Sequence, residues 1–224
     1  MKNLIITGAN RGIGLGITKV MLSQNHTVIA TTRNIENSGD LQNLKNKYSK
    51  NLKIVRLDLT NKDSLLSFSK KIPFNHLDIL INNAGIMEGN SLNIANTDKT
   101  FQVNTLGPMQ VTQKLIKKLL NSNSAKVFFM SSKMGSIADN MSGGHYSYRM
   151  SKTALNMFCR SFSIDYPKII TMALHPGWVK TDMGGPNAII SIKESAVGLS
   201  SLMLKAEKNM SGRFFDYNGN ELPW

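Results

Sequence analysis

The sequence predicts an α/β fold, a doubly wound, mostly parallel seven-stranded sheet with helices on both faces. Three observations carry that expectation. Short runs of strand length alternate with longer amphipathic segments from one end of the chain to the other. The strand runs are nearly continuous in apolar residues, as parallel strands buried on both faces require. A glycine-rich turn, Gly8-Ala9-Asn10-Arg11-Gly12-Ile13-Gly14, joins the first run to the first helical segment.

Taken in order, Asn3–Thr7 is the first strand and Leu15–Gln24 the first amphipathic segment. His26–Thr32 is a strand, Gly39–Ser49 a helix, Leu52–Asp58 a strand, Lys62–Lys71 a helix and Leu77–Asn82 a strand. A long helix is expected over about Thr97–Leu120, then strand Lys126–Ser131. The segment after Lys152, Thr153–Ser163, lacks Gly and Pro and carries Ala, Leu, Met and Phe at helical spacing. Strand Ile169–His175, helix Ile192–Lys205 and strand Arg213–Tyr217 complete the pattern. Pro167, Pro176, Pro186 and the pair Gly143-Gly144 punctuate loops. With no linker or domain break, residues 1–224 are expected to form one domain.

Composition narrows the function. The 224 residues, 41% hydrophobic, suffice for a full core. No apolar run reaches the ~18 residues that span a membrane. Met1-Lys2 followed by Asn3-Leu4-Ile5-Ile6-Thr7 is not the pattern of a signal peptide. The single cysteine, Cys159, sits among Met157, Phe158 and Phe162 and is expected to be buried as a small apolar residue, which suits a reducing cytoplasm. The four histidines (26, 76, 145 and 175) are scattered, so no metal site is expected. The net charge is +13, but the 27 Lys and Arg are dispersed with no run of five. That distribution argues against a nucleic-acid partner and for anionic small molecules such as a phosphorylated cofactor.

In such sheets ligands lie beyond the carboxyl ends of the strands, where strand order reverses. Gly8, Gly12 and Gly14, with Asn10, Arg11 and Ile13 between them, occupy that place after the first strand. Glycines let the backbone approach a pyrophosphate, and the following helix offers free N–H groups. After the second strand, the acid that would accept a hydrogen bond from a ribose 2′-hydroxyl is replaced by Arg33. A guanidinium suits a 2′-phosphate instead, and Arg11 supplies a second positive charge. Together they predict NADPH/NADP+ over NADH. Asp58, followed by Leu59, either accepts from the adenine amino group or caps the next helix. Asn82-Asn83-Ala84-Gly85 suits close packing over a flat ring, or is an ordinary polar turn. Tyr148 and Lys152 stand four apart on a helix and share a face. A neighbouring ammonium favours phenolate and lowers the tyrosine pKa from about 10, making a usable general acid. Tyr146 is the rival, but four residues on it meets Met150.

These residues, in this order, resemble the short-chain dehydrogenase/reductase family. The resemblance covers the whole chain and rests on Thr7-Gly8-x-x-x-Gly12-x-Gly14, Asn82-Asn83-Ala84-Gly85, Asn104, Ser132, Tyr148-x-x-x-Lys152 and Pro176-Gly177-x-x-x-Thr181. Within the family, Ser131–Ile137, Tyr148–Lys152, His175–Met183 and the tail Phe214–Trp224 resemble the carbonyl reductase branch related to the C-factor signalling protein. The resemblance implies a Rossmann fold, with a nucleotide-binding half at about 1–95 and a catalytic and substrate half at about 96–224. It implies reduction of an aldehyde or ketone, Tyr148 donating a proton to the carbonyl oxygen as hydride is transferred. Lys152 holds the nicotinamide ribose, Ser132 (in preference to Ser131) bonds the substrate carbonyl, and Asn104 holds a relay water. Asn83, Ala84, Gly85, Pro176, Gly177, Val179 and Thr181 border the cofactor, the last two near its carboxamide.

Ser132 and Tyr148 are 16 residues apart, a long interval whose loop, Asp139–His145, is expected to border the substrate pocket. The segment after Thr181 is a short lid, compatible with an open pocket. A pterin, quinone or acyl thioester is an alternative substrate, and a dinucleotide-binding signalling protein is an alternative function. Dimers or tetramers are expected through the long helix and the Tyr148 helix. Leu115, Ile116, Leu119, Met157, Phe158 and Phe162 serve that contact or face the sheet.

Overall fold

Apolar runs of four to six residues become the strands β1 Asn3–Ile6, β2 Thr27–Thr32, β3 Leu52–Arg56, β4 Ile79–Asn82, β5 Lys126–Met130, β6 Ile170–His175 and β7 Arg213–Asp216. The computed structural model describes residues 1–89 and 94–224. Among the described residues these strands form one sheet in the order β3-β2-β1-β4-β5-β6-β7, and every neighbouring pair is parallel. The chain winds outward one way from β1 to β3 and the other way from β4 to β7. The order therefore reverses between β1 and β4, where Ile5 of β1 sits opposite Ile29 of β2 on one side and Leu80 of β4 on the other.

The connecting segments are helices α1 Gly12–Ser23, α2 Gly39–Lys47, α3 Lys62–Phe68, α4 Thr97–Phe101, α5 Gly107–Leu120, α6 Tyr146–Asp165 and α7 Ile192–Lys205. Side chains alternate across a strand, so each strand feeds two cores. Leu4, Ile6, Val28, Ile81, Phe128 and Leu174 pack with α1, α2 and α7 through Ile17, Met21, Leu41, Leu199 and Met203. Ile5, Ile29, Leu80, Val127, Phe129 and Ala173 pack with α3, α5 and α6 through Phe68, Leu115, Leu119, Leu155 and Cys159. Cys159 is a buried free thiol, as its neighbours predict. Leu115, Leu119 and Phe162 are core residues, while Ile116 and Phe158 pack against that core. Of the six positions considered for an intersubunit contact, Met157 is the exposed one at 67%.

The long helix expected over Thr97–Leu120 is helical throughout, but it carries a π bulge. Between α4 and α5 the chain makes a π-helical turn, Gln102–Leu106, closed by the Gly107 N–H bonding the Gln102 carbonyl. Pro108 explains it. Proline has no N–H, so the carbonyl four residues earlier, that of Asn104, loses its helical donor.

The end of α7 is secured from the sheet. The buried Lys126 ammonium, at the start of β5, donates to the carbonyls of Met203 (3.2 Å), Leu204 (2.8 Å) and Ala206 (2.7 Å). A cation there satisfies carbonyls that the helix leaves unpaired and complements its dipole. Burial pulls the lysine pKa down, Lys2 adds to that, and Glu207 opposes it. Lys126→Met keeps the stem but strands these acceptors. The expected loss is about 2–4 kcal/mol, read as a lower midpoint in urea unfolding; an unchanged midpoint would make the cap energetically neutral.

Candidate active site

The exits of β1 and β4 are tied together at the point of reversal. The Thr7 hydroxyl accepts from the backbone N–H groups of Asn83 (3.0 Å) and Ala84 (3.1 Å). The Asn83 side-chain amide donates to the carbonyls of Thr7 (2.9 Å) and Gly8 (3.0 Å). Asn82 turns its amide to Thr112 at 3.2 Å. Both amides are thus committed to holding strand exits, leaving Ala84 and Gly85 to face the crevice. Gly14 is glycine because of this approach, since a Cβ there would strike the Gly8 carbonyl and the Asn83 amide.

Beyond these exits lies a cleft of about 990 Å³. Every cofactor residue expected from the sequence lines it except Gly177 and Val179. The residues present suit a dinucleotide. Gly8 and Gly12 have left-handed φ angles of 63° and 55°, and no side chain caps the start of α1 or puts an acid in its first turn. The first-turn N–H groups are therefore available to an anion. Arg33 lines the far end of the cleft, with Arg56 close enough to act on Asp58 as well. Asp58 is not the cap of α3. Asn61 caps it, accepting from Ser64 N at 2.8 Å, and the Asp58 carboxylate accepts from the Thr60 hydroxyl and N–H instead. Burial raises the Asp58 pKa, but the Thr60 bonds and the Arg33 and Arg56 charges outweigh it and hold the carboxyl below its ordinary value. Arg11 is paired with Asp182, a partner 171 residues away that nothing in the sequence marks.

The segment after β6 forms a flap over the same cleft. Val179 and Ile190 pair at its base, and the Trp178 indole N–H bonds the Gly184 carbonyl at 2.8 Å. Thr181 accepts from Gly184 N at 3.1 Å, which folds the tip into a turn. Pro176 is held by the Ser195 hydroxyl of α7 at 2.7 Å.

Of the four residues expected to act on substrate, Tyr148 and Lys152 line the cleft, while Asn104 and Ser132 are buried and do not line it. The two local rivals separate by contact. Ser131 is consumed by Asn156 at 2.6 Å, whereas Ser132 is near enough to Tyr148 to favour its phenolate and caps the 3₁₀ turn Lys133–Gly135 through Met134 N. Tyr148 is buried and lines the cleft, whereas Tyr146 is exposed and lines a separate groove. The Lys152 ammonium lies 5.7 Å from the Tyr148 ring centroid and donates to the Met130 carbonyl at 2.8 Å. Asn104 spends its amide on the Ile86 backbone, donating to its carbonyl and accepting from its N–H, both at 2.8 Å, and donates to the Ser151 hydroxyl at 3.0 Å. A Cβ on Gly85 would stand 3.3 Å from Asn104 Oδ1 and 3.4 Å from Lys152 Nζ, so the glycine leaves the space between them clear.

The electrostatics differ from the expectation in one respect. The Tyr148 pKa is raised, because burial penalises phenolate more than the nearby Ser132 hydroxyl favours it. Burial also lowers Lys152 to about 8, so the cation that was to activate the tyrosine is itself held weakly. The sequence reading paired two side chains without the desolvation that both undergo.

The chain belongs to the short chain dehydrogenase family, whose model matches residues 2–188. It is an oxidoreductase of that family with the carbonyl reductase type of structure. The NADPH-bound carbonyl reductase from chicken fatty liver is 33% identical with a TM-score of 0.93, over 100% of this chain and 99% of that one. The carbonyl reductase Sniffer of D. melanogaster is 34% identical with a TM-score of 0.94, over 100% of both chains. The C-signal of Myxococcus xanthus is 42% identical over 164 residues, spanning 70% of this chain and 99% of that protein.

The lysine yields a pH prediction. Its folded pKa, about 8, lies below the unfolded value of 10.5, so the unfolded state binds more protons between these limits. Stability of the cofactor-free protein should therefore rise with pH across that window. Lys152→Met should remove the rise and stabilise the protein at pH 7 by on the order of 1–3 kcal/mol, measured by urea unfolding over pH 7–11. A wild-type profile in the variant would assign the rise elsewhere.

Proposed function

We propose that the protein is an NADPH-dependent reductase that converts an aldehyde or ketone to an alcohol. The observation that carries this is the buried Tyr148, flanked by Lys152 and with Ser132 close by, lining the same cleft as Arg33 and the glycine turn. The chicken and fly carbonyl reductases support the same assignment. Bound NADPH supplies the hydride that reduces the carbonyl carbon.

The chain's own residues handle charge and protons. The Ser132 hydroxyl donates to the substrate oxygen and stabilises the charge developing there. Tyr148 passes its hydroxyl proton to that oxygen, and its raised pKa keeps it in the donating form at neutral pH. Lys152 then stabilises the tyrosinate left behind, and reprotonation runs past Gly85 toward Asn104. Gly8, Gly12 and the first turn of α1 would hold the pyrophosphate, Arg33 with Arg11 the 2′-phosphate, and Asp58 the adenine. Arg11 would have to leave Asp182 to make that contact.

Exposed Met150, Met157 and Ile164 along α6 support self-association through that helix, and the free buried thiol of Cys159 suits the cytoplasm. A signalling role is a second reading, favoured by the likeness to the C-signal. Tight NADPH binding with no turnover on any carbonyl compound would favour it.

Tyr148→Phe keeps the ring and deletes the acid. Carbonyl-dependent NADPH oxidation should fall by about 10²–10⁴ with little change in NADPH affinity, while Tyr146→Phe should leave turnover nearly intact. A dead Tyr146→Phe enzyme would reverse the choice of tyrosine.

For the cofactor, one charge-assisted phosphate contact is worth roughly 1.5–3 kcal/mol, so NADPH should bind about tenfold or more tighter than NADH. Arg33→Asp should narrow or reverse that ratio in a fluorescence titration; an unchanged ratio removes Arg33 from the site.

A further inference from the structure

Arg149 follows Tyr148 in the chain, yet its side chain stays out of the cleft and lines a groove of about 490 Å³ on the outer side of α6. Its guanidinium makes four bonds. Nε donates to the carbonyls of Gly143 (3.0 Å) and Gly144 (3.1 Å), Nη2 to the Ser142 hydroxyl (2.8 Å) and Nη1 to the Met134 carbonyl (3.3 Å). These acceptors belong to two different segments. Met134 lies in the turn capped by Ser132, and residues 142–144 lead directly into the helix that carries Tyr148.

The second segment needs an external tie. Gly143, Gly144 and His145 have successive φ angles of 62°, 65° and 47°, and α6 begins without a side-chain cap. Such a left-handed run, ending on a residue with a Cβ, persists where surrounding contacts over-determine it. His145 also reaches across to the segment beyond β4, with Nδ1 3.2 Å from the Gly89 carbonyl.

We propose that Arg149 is the positioning residue for the carbonyl substrate: one rigid fork joins the turn behind Ser132 to the loop before Tyr148, and so fixes relative to each other the two side chains that meet the substrate's carbonyl. The proposal rests on the carbonyl reductase reading. It predicts an effect on substrate rather than cofactor, because the loop it holds is remote from Arg33 and the glycine turn. A lysine cannot replace it, since a point charge on a flexible stem does not reach both segments at once.

The test compares Arg149→Ala and Arg149→Lys, the latter keeping charge and helix propensity. Both should raise KM for a carbonyl substrate by on the order of tenfold, with a smaller change in kcat and an NADPH Kd within about twofold of wild type. Both should also speed amide hydrogen exchange across residues 140–145 in the free protein. Full rescue by lysine, an unchanged KM, or unchanged exchange in the alanine variant would overturn the proposal. If the wild type reduces no carbonyl compound, the reading of the reaction fails, while the exchange rates still decide whether Arg149 holds the loop.

Discussion

The structure depends on the parallel pairing of β1 with β4. Those two strands leave the sheet side by side while their connections run to opposite sides, so a crevice must open between them. The crevice is not left to strand geometry alone. Asn83 and Ala84 donate four hydrogen bonds to Thr7 and Gly8 across it, fixing the glycine turn against the exit of β4 within the close approach that Gly14 permits. The glycine turn and Ala84-Gly85 hang from those two exits, while Arg33, Asp58 and Thr181 reach the same cleft from the exits of β2, β3 and β6.

The other end of the site trades stability for chemistry. Tyr148 and Lys152 are both buried, and burial shifts each pKa toward the neutral form. A neutral tyrosine is a proton donor in waiting, and a lysine near pH 8 can change charge as its surroundings change. The π turn at Gln102–Leu106 belongs to the same design. It brings Asn104 against the Ile86 backbone and, because Pro108 has no N–H, leaves the Asn104 carbonyl without its helical donor.

Much of this was legible in the chain. All seven strands lie within two residues of where apolar runs put them, because a strand buried on both faces must be apolar throughout. That the glycine turn, Arg33 and the Tyr148–Lys152 pair would meet at one cleft was legible for a similar reason: the first two follow strands and the pair shares a helix face. The helix over Thr97–Leu120 was legible too, though not the π turn within it, for which Gly107-Pro108 was the signal. The catalytic pKa values were not legible, since desolvation depends on what packs over a side chain and not on its neighbours in sequence.

The sequence by itself determined the fold class, the order of the elements and the residue types available to each strand exit, because periodicity and turn chemistry act over a few residues. The tertiary structure alone decided which of two adjacent serines is bonded to Asn156 and which of two nearby tyrosines faces the cleft. It also decided that Asn83 serves as a clamp, that Asn61 and not Asp58 caps α3, and that Arg11 meets Asp182. Each of those outcomes depends on which side of a backbone a side chain leaves and what stands opposite, and contacts between distant segments set that.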